Sequence, residues 1–111
     1  MFKLNPSPVF PAVVLITADG ADKPVPLRLA LRHKGRAETL AWVERAKTAD
    51  GIDVLCEIID GWSDVEGPDG QPSAFSREAL AGLLDAYPAA AVEIFNAYLA
   101  RLPEFKTKNS A

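Results

Sequence analysis

The chain has 111 residues, a mass of 11.9 kDa and a formal net charge of −3. A chain of this length builds one hydrophobic core, and 49% hydrophobic with 24% charged residues is the composition of a globular domain. These values exclude a disordered chain, and the single cysteine, Cys56, excludes a fold built on disulfides. We therefore expect one domain spanning residues 1–111.

Charge is distributed unevenly along the chain. Residues 1–34 carry five basic and two acidic side chains, a net of +3, whereas residues 51–104 carry two basic and ten acidic side chains, a net of −8. No dense Lys/Arg patch is present, so we expect neither nucleic acid nor a membrane as the main partner. The split favours head-to-tail contact or a protein partner. The longest apolar run covers only residues 11–16 and no signal-peptide pattern opens the chain, which predicts a cytoplasmic protein.

The N-terminal part predicts an extended tail followed by a β-hairpin. Three prolines in residues 1–11 favour extended backbone. Residues 12–17 are rich in β-branched side chains, residues 19–24 have turn chemistry, and leucines alternate with other residues over 27–32. A hairpin is therefore expected at about residues 12–34. The period then becomes helical and predicts four helices, which makes the fold class α+β.

The first two predicted helices cover about residues 36–59. The first, at 36–48, places Leu40, Val43 and Lys47 on one stripe. The second begins after Asp50 as its N-cap, and Gly61 is expected to end it in the left-handed conformation. Its predicted core stripe consists of Ile52, Leu55, Cys56 and Ile59.

Residues 61–88 contain the most distinctive signals. Gly67-Pro68-Asp69-Gly70 has the preferences of a type I turn. Ser76 is the expected N-cap of the third helix, with Phe75 and Leu80 as a hydrophobic staple. Trp62 has two interpretations: it packs over the helix pair as a plug, or it stands exposed as an interface anchor.

The last two helices are expected to form a hairpin joined at Tyr87-Pro88, with Pro88 at the first position of the last helix. Pro103 ends that helix, and residues 105–111 are predicted to form a flexible tail. The apolar stripes of this hairpin predict a groove with an acidic rim. The stripes are Leu80, Leu83, Leu84 and Tyr87, then Val92, Phe95, Tyr98, Leu99 and Leu102, and the rim residues are Asp85, Glu93 and Glu104.

Residues suited to catalysis or metal binding are few. His33, the only histidine, is expected at a solvated strand end, and Cys56 in the core. One Cys and one His cannot supply the ligands of a zinc site. The acidic residues at 60, 64, 66 and 69 lack the spacing of a calcium loop, so a solvated loop is favoured over an ion site or an acid/base pair. We expect no enzyme activity, no metal and no cofactor.

A set of residues spread over nearly the whole chain has a distinctive order and spacing. The set is Leu31-Arg32-His33-Lys34, Gly61-Trp62, Val65, Gly67, Gly70, Pro72, Phe75-Ser76, Leu80, Leu83-Leu84, Tyr87-Pro88, Ala91, Tyr98 and Lys108-Asn109. These residues resemble the tail assembly chaperones of long-tailed bacteriophages and prophages. The resemblance implies a noncatalytic protein that binds the tape measure protein, and often tail tube subunits, before the tube polymerises, and that is absent from the finished particle. Members of the family commonly have a longer form made by ribosomal frameshifting.

Two sets of residues follow as predictions. The structural motif consists of Gly61, Trp62, Gly67, Gly70, Phe75, Ser76 and Pro88, and the partner-binding set consists of Trp62, Leu84, Tyr87, Tyr98, Arg28 and Arg32. Weak, salt-sensitive homo-oligomers are also expected from the charge split and an unpaired edge strand. Two other classes stay open: a tail-completion or neck subunit retained in the virion, and an enzyme that uses the acidic loop.

Overall fold

The computed structural model describes residue 2 and residues 4–105 of the chain. Three strands form one antiparallel sheet in the order β1-β2-β3, and four α-helices among the described residues cover one face of it. The predicted α+β class with an N-terminal hairpin is confirmed. The strands are β1 (Val9–Ile16), β2 (Val25–Arg32) and β3 (Ile59–Ser63), and the helices are α1 (Arg36–Ala46), α2 (Gly51–Cys56), α3 (Arg77–Ala86) and α4 (Ala90–Leu99), followed by a 3-10 turn over Pro103–Phe105.

The hairpin begins earlier than the sequence predicts, because β1 includes Pro11. The His33 N–H donates to the Pro8 carbonyl at 2.8 Å, and the register pairs Val9 with Arg32 and Pro11 with Ala30. Hydrogen-bonded and non-hydrogen-bonded pairs alternate in an antiparallel ladder. Pro11 therefore belongs to a non-hydrogen-bonded pair, and its nitrogen points to the open edge of the sheet. The absent N–H therefore removes no hydrogen bond from the hairpin. Because β1 begins at Val9, the extended tail is shorter than the predicted residues 1–11.

A third strand replaces the predicted end of the second helix. α2 stops at Cys56, and β3 then pairs with β2 through Leu29 opposite Trp62 and Leu31 opposite Ile59. Gly61 lies inside β3 without a positive φ, so the predicted left-handed helix end is wrong. The physical reason is that β2 has a free edge, and residues 58–62, with two isoleucines and a tryptophan, suit a half-buried strand better than a helix.

The core lies between the inner face of the sheet and the helices. On α1 the buried residues are Thr39 and Trp42, while Leu40 is 36% exposed, so the buried face is rotated from the predicted stripe. On α4, Ile94 and Tyr98 are fully buried, while Val92, predicted to face inward, is 61% exposed. The amphipathic pattern of α1 is weak, and α4 is apolar over most of its surface, so in neither helix does the average period alone identify every buried residue.

A polar network ties α4 to the end of the hairpin. The Tyr98 hydroxyl donates to the Arg32 carbonyl at 2.6 Å, and the Arg101 guanidinium lies 3.8 Å from the Tyr98 ring centroid. Arg101 also donates to the Thr39 hydroxyl at 2.9 Å and to the Lys34 carbonyl at 3.2 Å. Burial raises the pKa of Tyr98 above its usual 10.0, although the Arg101 charge acts in the opposite direction.

Several local features that the sequence predicts are present in the structure. The Ser76 hydroxyl accepts the Ala79 N–H at 3.0 Å as the N-cap of α3, and the Gly70 N–H donates to the Gly67 carbonyl at 2.9 Å across the predicted turn. Gly70 has a φ of +78°, which favours glycine. Asp50 does precede α2, but its side chain makes no cap hydrogen bond.

Two boundaries near the C-terminus differ from the prediction. Pro88 lies two residues before α4, whose N-cap is Ala89, and α4 ends at Leu99, four residues before Pro103. Of the predicted tail, Phe105 closes the 3-10 turn, and residues 106–111 lie outside the described residues. None of the helices that the structure describes has the length and hydropathy needed to cross a membrane.

Candidate functional site

A cleft of about 870 Å³ lies at the turn end of the hairpin. It forms because β3 pairs with β2 only as far as Arg28. The chain then leaves the sheet at Asp64, which has a positive φ of 58°, and so the first residues of β2 have no neighbouring strand on that side. The inner face of the hairpin forms one wall of the cleft at this end, and α3 forms the opposite wall.

The lining of the cleft is mainly apolar. The sheet contributes Ile16 and Leu27, which are 4% and 7% exposed, and Val25, which is 45% exposed. The opposite wall is one face of α3 together with Tyr87 at its C-terminal end. The complete lining is Ile16, Val25, Pro26, Leu27, Trp62, Asp64, Val65, Glu66, Gly67, Pro68, Ser73, Glu78, Ala79, Gly82, Leu83, Ala86 and Tyr87.

The third wall of the cleft is a small loop that spans residues 64–75, and Trp62 packs against this loop. Its indole Nε1–H donates to the Ser73 carbonyl at 2.8 Å, and its ring meets the Phe75 ring edge to face at 5.1 Å. The loop is closed on itself by the bonds from the Ser73 N–H to the Val65 carbonyl at 2.7 Å and from the Gly67 N–H to the Gln71 carbonyl at 2.8 Å. Trp62 is half-buried and therefore both packs on the core and lines the cleft.

Three carboxylates surround this apolar surface. Asp64 forms an exposed ion pair with Arg28 at 3.5 Å, whereas neither Glu66 nor Glu78 has an ion-pair partner among the described residues. Glu78 also lies in the first turn of α3, where the helix dipole favours an anion. An apolar cleft with unpaired carboxylates at its rim suits an apolar side chain or segment that carries basic neighbours.

The predicted partner-binding residues separate into three places. Trp62 and Tyr87 line the cleft. Leu84 is half-buried against the core outside the cleft, and Tyr98 is fully buried, so neither lines it. The remaining two, Arg28 and Arg32, lie on the exposed face of β2.

Both arginines have partners within the chain. Arg28 pairs with Asp64, and Arg32 pairs with Asp60 at 3.4 Å while donating to the carbonyls of Cys56 and Ile59 at 3.0 and 3.2 Å. These contacts join β2 to β3 on the side where the two strands pair. The arginines therefore stabilise the pairing of β2 with β3 on the outer face of the sheet.

The cleft does not coincide with the groove predicted between the last two helices, since α4 contributes no lining residue to it. The predicted acidic rim is also engaged elsewhere. Glu93 accepts hydrogen bonds from the Thr17 N–H at 2.9 Å and from the Thr17 hydroxyl at 2.5 Å, and Glu104 pairs with Arg36. The Arg36 guanidinium lowers the pKa of Glu104 below its usual 4.5. Asp85 is exposed on α3 but lies outside the cleft.

The residues considered for chemistry lie apart from the cleft or from one another. His33 is exposed at the end of β2, as predicted, and Cys56 is a half-buried free thiol at the end of α2. Within residue 2 and residues 4–105, no three His, Cys, Asp or Glu side chains lie together in a way that could hold a metal ion. The cleft thus offers apolar area and charge to a ligand.

Sequence reasoning missed the sheet wall of the cleft, which consists of Ile16, Val25 and Leu27. The sequence places Leu27 on the buried face of the hairpin, and the structure agrees, since Ile16 and Leu27 are 4% and 7% exposed and only Val25, at 45%, is largely accessible. The sequence does not indicate where β3 ends, and that end leaves the start of β2 without a neighbouring strand. The signal that could have found it is the Ile58-Ile59 pair before Gly61-Trp62, which favours a short strand.

The fold defines a small α+β domain with an apolar cleft between the hairpin end and α3. A family model described as phage tail assembly chaperone matches residues 1–109, and the chain belongs to this family. The family description suggests a role without catalysis. No curated protein and no solved structure matches the chain significantly.

Proposed function

We propose that the chain is a noncatalytic chaperone that binds the tape measure protein, and in some systems tail tube subunits, before the tail polymerises in the cytoplasm of the host bacterium. Membership in the tail assembly chaperone family supports the assembly role. The observation that carries the binding role is the apolar cleft between the hairpin end and α3, with Glu66 and Glu78 at its rim and without an ion-pair partner in residue 2 or residues 4–105. No cofactor is needed for this role.

The cleft specifies the kind of segment that it accepts. Its volume of about 870 Å³ lies within the roughly 300–1,000 Å³ of pockets that enclose small ligands, so it takes a few side chains rather than a whole helix. A long helical rod with apolar stripes presents such side chains in a row. Basic residues beside the stripe would meet the carboxylates of the rim. The proposed client segment is therefore amphipathic, with apolar anchors flanked by Lys or Arg.

Co-expression with the tape measure protein encoded beside it tests the proposal. The chain is expected to raise the soluble fraction of the tape measure protein. Val25→Lys should abolish this effect because it places a charge on the exposed part of the cleft wall. Glu66→Lys should weaken it because it reverses a rim charge in a loop, away from any helix dipole.

Asp85→Lys is the matched control for charge, since Asp85 is exposed on α3 but outside the cleft. It should leave the soluble fraction unchanged, and all variants should melt near the wild-type temperature. A tape measure protein that stays equally insoluble with and without the chain refutes the proposed function. Loss of the effect in Asp85→Lys but not in Glu66→Lys would move the binding surface to the other face of α3. Mass spectrometry of purified particles should find the chain absent; its presence there would favour the tail-completion or neck subunit.

A further inference from the structure

The outer face of the sheet is apolar along β1 and is left uncovered by the helices. Side chains alternate along the strand, so Val9, Pro11, Val13 and Leu15 share this face. Val9, Val13 and Leu15 are 37%, 54% and 58% exposed, whereas Val14 and Ile16 on the other face are each 4% exposed. Exposed apolar side chains that adjoin in a row, rather than singly, mark an interaction surface.

We infer that this outer face binds the same face of a second copy of the chain, related by a two-fold axis. The charges of the face favour a copy of itself over a charged partner. Its two arginines are already matched within the chain, Arg28 with Asp64 at 3.5 Å and Arg32 with Asp60 at 3.4 Å. The surface therefore presents apolar area with its charges paired, and two such surfaces bury one another without an unmatched charge.

The contact is between faces and not between strand edges. Pro11 has no N–H to donate at the middle of the open β1 edge, and proline at an edge opposes the addition of a further strand. Just past the end of β1, the Thr17 N–H is occupied by the Glu93 carboxylate at 2.9 Å. Continuous β-augmentation along β1 is blocked at both points, while the face beside that edge stays free.

The strand register gives the contact a self-complementary arrangement. Consider a two-fold axis that lies between the two faces, parallel to the sheets, and crosses β1 at a right angle at Ala12. It places Val9 of one copy over Leu15 of the other, and Pro11 over Val13. On β2, the register with β1 puts Arg28 level with Val13 and Ala30 level with Pro11. The same axis therefore places Arg28 over Ala30 of the second copy. No arginine faces an arginine, and each apolar side chain of β1 meets an apolar side chain of the other β1.

The size of the face predicts a transient dimer. From Val9 to Leu15 the strand spans about 20 Å at roughly 3.3 Å per residue, and neighbouring strands lie about 4.8 Å apart. The contact therefore buries a few hundred Å² on each copy, below the roughly 1,200 Å² total of a standard stable interface. A dissociation constant between about 1 μM and 1 mM is expected.

Dimerisation leaves both clefts accessible, because each cleft opens on the inner side of its sheet, beside Leu27 and Trp62. The two clefts point away from one another. If the cleft binds the client as proposed above, the dimer engages two segments of one long chain, and the second contact gains from the effective concentration that the first one sets. Self-association itself does not depend on that proposal.

Sedimentation velocity over a concentration series tests the dimer. Val13→Lys should weaken association at least about tenfold, because it places a desolvated charge in the contact. Val92→Lys is the matched control: Val92 is 61% exposed on α4, on the opposite side of the sheet, and its replacement should leave association unchanged. Association should also be nearly independent of salt, since its charges are paired within each copy.

A wild-type chain that stays monomeric up to about 1 mM overturns the inference. So does association that Val92→Lys weakens as much as Val13→Lys does, or association that high salt abolishes. The two proposals fail separately, because Val25→Lys should lose the client and keep the dimer, whereas Val13→Lys should lose the dimer and keep one-to-one binding of a single client segment.

Discussion

Trp62→Ala is expected to destabilise the domain by removing the side chain that holds the loop of residues 64–75 against the sheet. Truncating a fully buried tryptophan costs about 3–5 kcal/mol. Trp62 is partly exposed at the cleft, which lowers this cost, and the cost includes loss of the Nε1–H bond to the Ser73 carbonyl, which alone contributes about 0.5–1.5 kcal/mol. The expected cost is therefore about 2–4 kcal/mol.

Trp62→Phe separates the two contributions. It keeps an aromatic ring against Phe75 but removes the indole donor, so it should cost only about 0.5–1.5 kcal/mol. Urea unfolding followed by circular dichroism measures both variants. With a slope of roughly 1.5–2 kcal/mol per molar, the midpoint should fall by about 1–2 M for Trp62→Ala, with the slope unchanged.

Two results would contradict this reasoning. A midpoint for Trp62→Ala within error of the wild type would mean that the ring stabilises nothing, and loss of client binding in that stable variant would identify Trp62 as an interface anchor. A Trp62→Phe variant as unstable as Trp62→Ala would mean that the hydrogen bond, and not the ring, holds the loop.

Two further predictions concern the C-terminal half. Tyr98→Phe should cost about 1–2 kcal/mol in urea unfolding, since it leaves the Arg32 carbonyl without its buried donor, whereas Tyr87→Phe should cost nothing because the Tyr87 hydroxyl donates to no described residue. The raised pKa of Tyr98 adds a test: stability should fall as pH rises above about 10, where the unfolded chain loses this proton first, and Tyr98→Phe should remove that part of the dependence. Ser76→Ala should cost about 0.5–2 kcal/mol through loss of the α3 cap, while Asp50→Ala, whose side chain makes no cap bond, should cost less than about 0.5 kcal/mol. Equal effects within either pair would refute the assignment.

Local chemistry in the sequence predicts local structure here. The hairpin follows from alternation around a turn, the N-cap from Ser76 before an apolar period, and the tight turn from the glycine and proline spacing of residues 67–70. Each of these is decided within about five residues by backbone conformation or a single hydrogen bond. Their prediction did not require knowledge of which elements meet.

The errors about β3, the rotation of α1 and the cleft depend on contacts between distant residues. β3 forms because β2 offers an unpaired edge some 30 positions earlier in the chain, and Leu29 could not be paired with Trp62 from periodicity alone. The rotation of α1 follows from Trp42, whose indole donates to the Val54 carbonyl at 3.0 Å and whose ring meets Phe95 at 4.7 Å. The cleft is a consequence of where β3 ends, and periodicity along the sequence does not predict that end.

The charge split along the sequence has a different meaning once the fold is known. The basic residues of the N-terminal half meet the acidic residues of the C-terminal half inside one chain: Arg28 with Asp64, Arg32 with Asp60, Lys34 and Arg45 with Glu57, and Arg36 with Glu104. Charges satisfied in this way give little free energy to head-to-tail contact between copies, and exposed pairs of this kind each contribute at most about 1 kcal/mol to folding.

The carboxylates that form no ion pair with a described residue therefore indicate the kind of partner better than the net charge does. Glu66 and Glu78 have no ion-pair partner among the described residues and lie at the rim of the apolar cleft. The apolar face of β1, by contrast, adjoins only arginines that are already paired. An unpaired carboxylate beside apolar area selects a basic partner, and paired charges beside apolar area select a surface of the same kind. Under the two proposals, the two faces of the sheet therefore accept different partners, a client on the inner side and a second copy on the outer side.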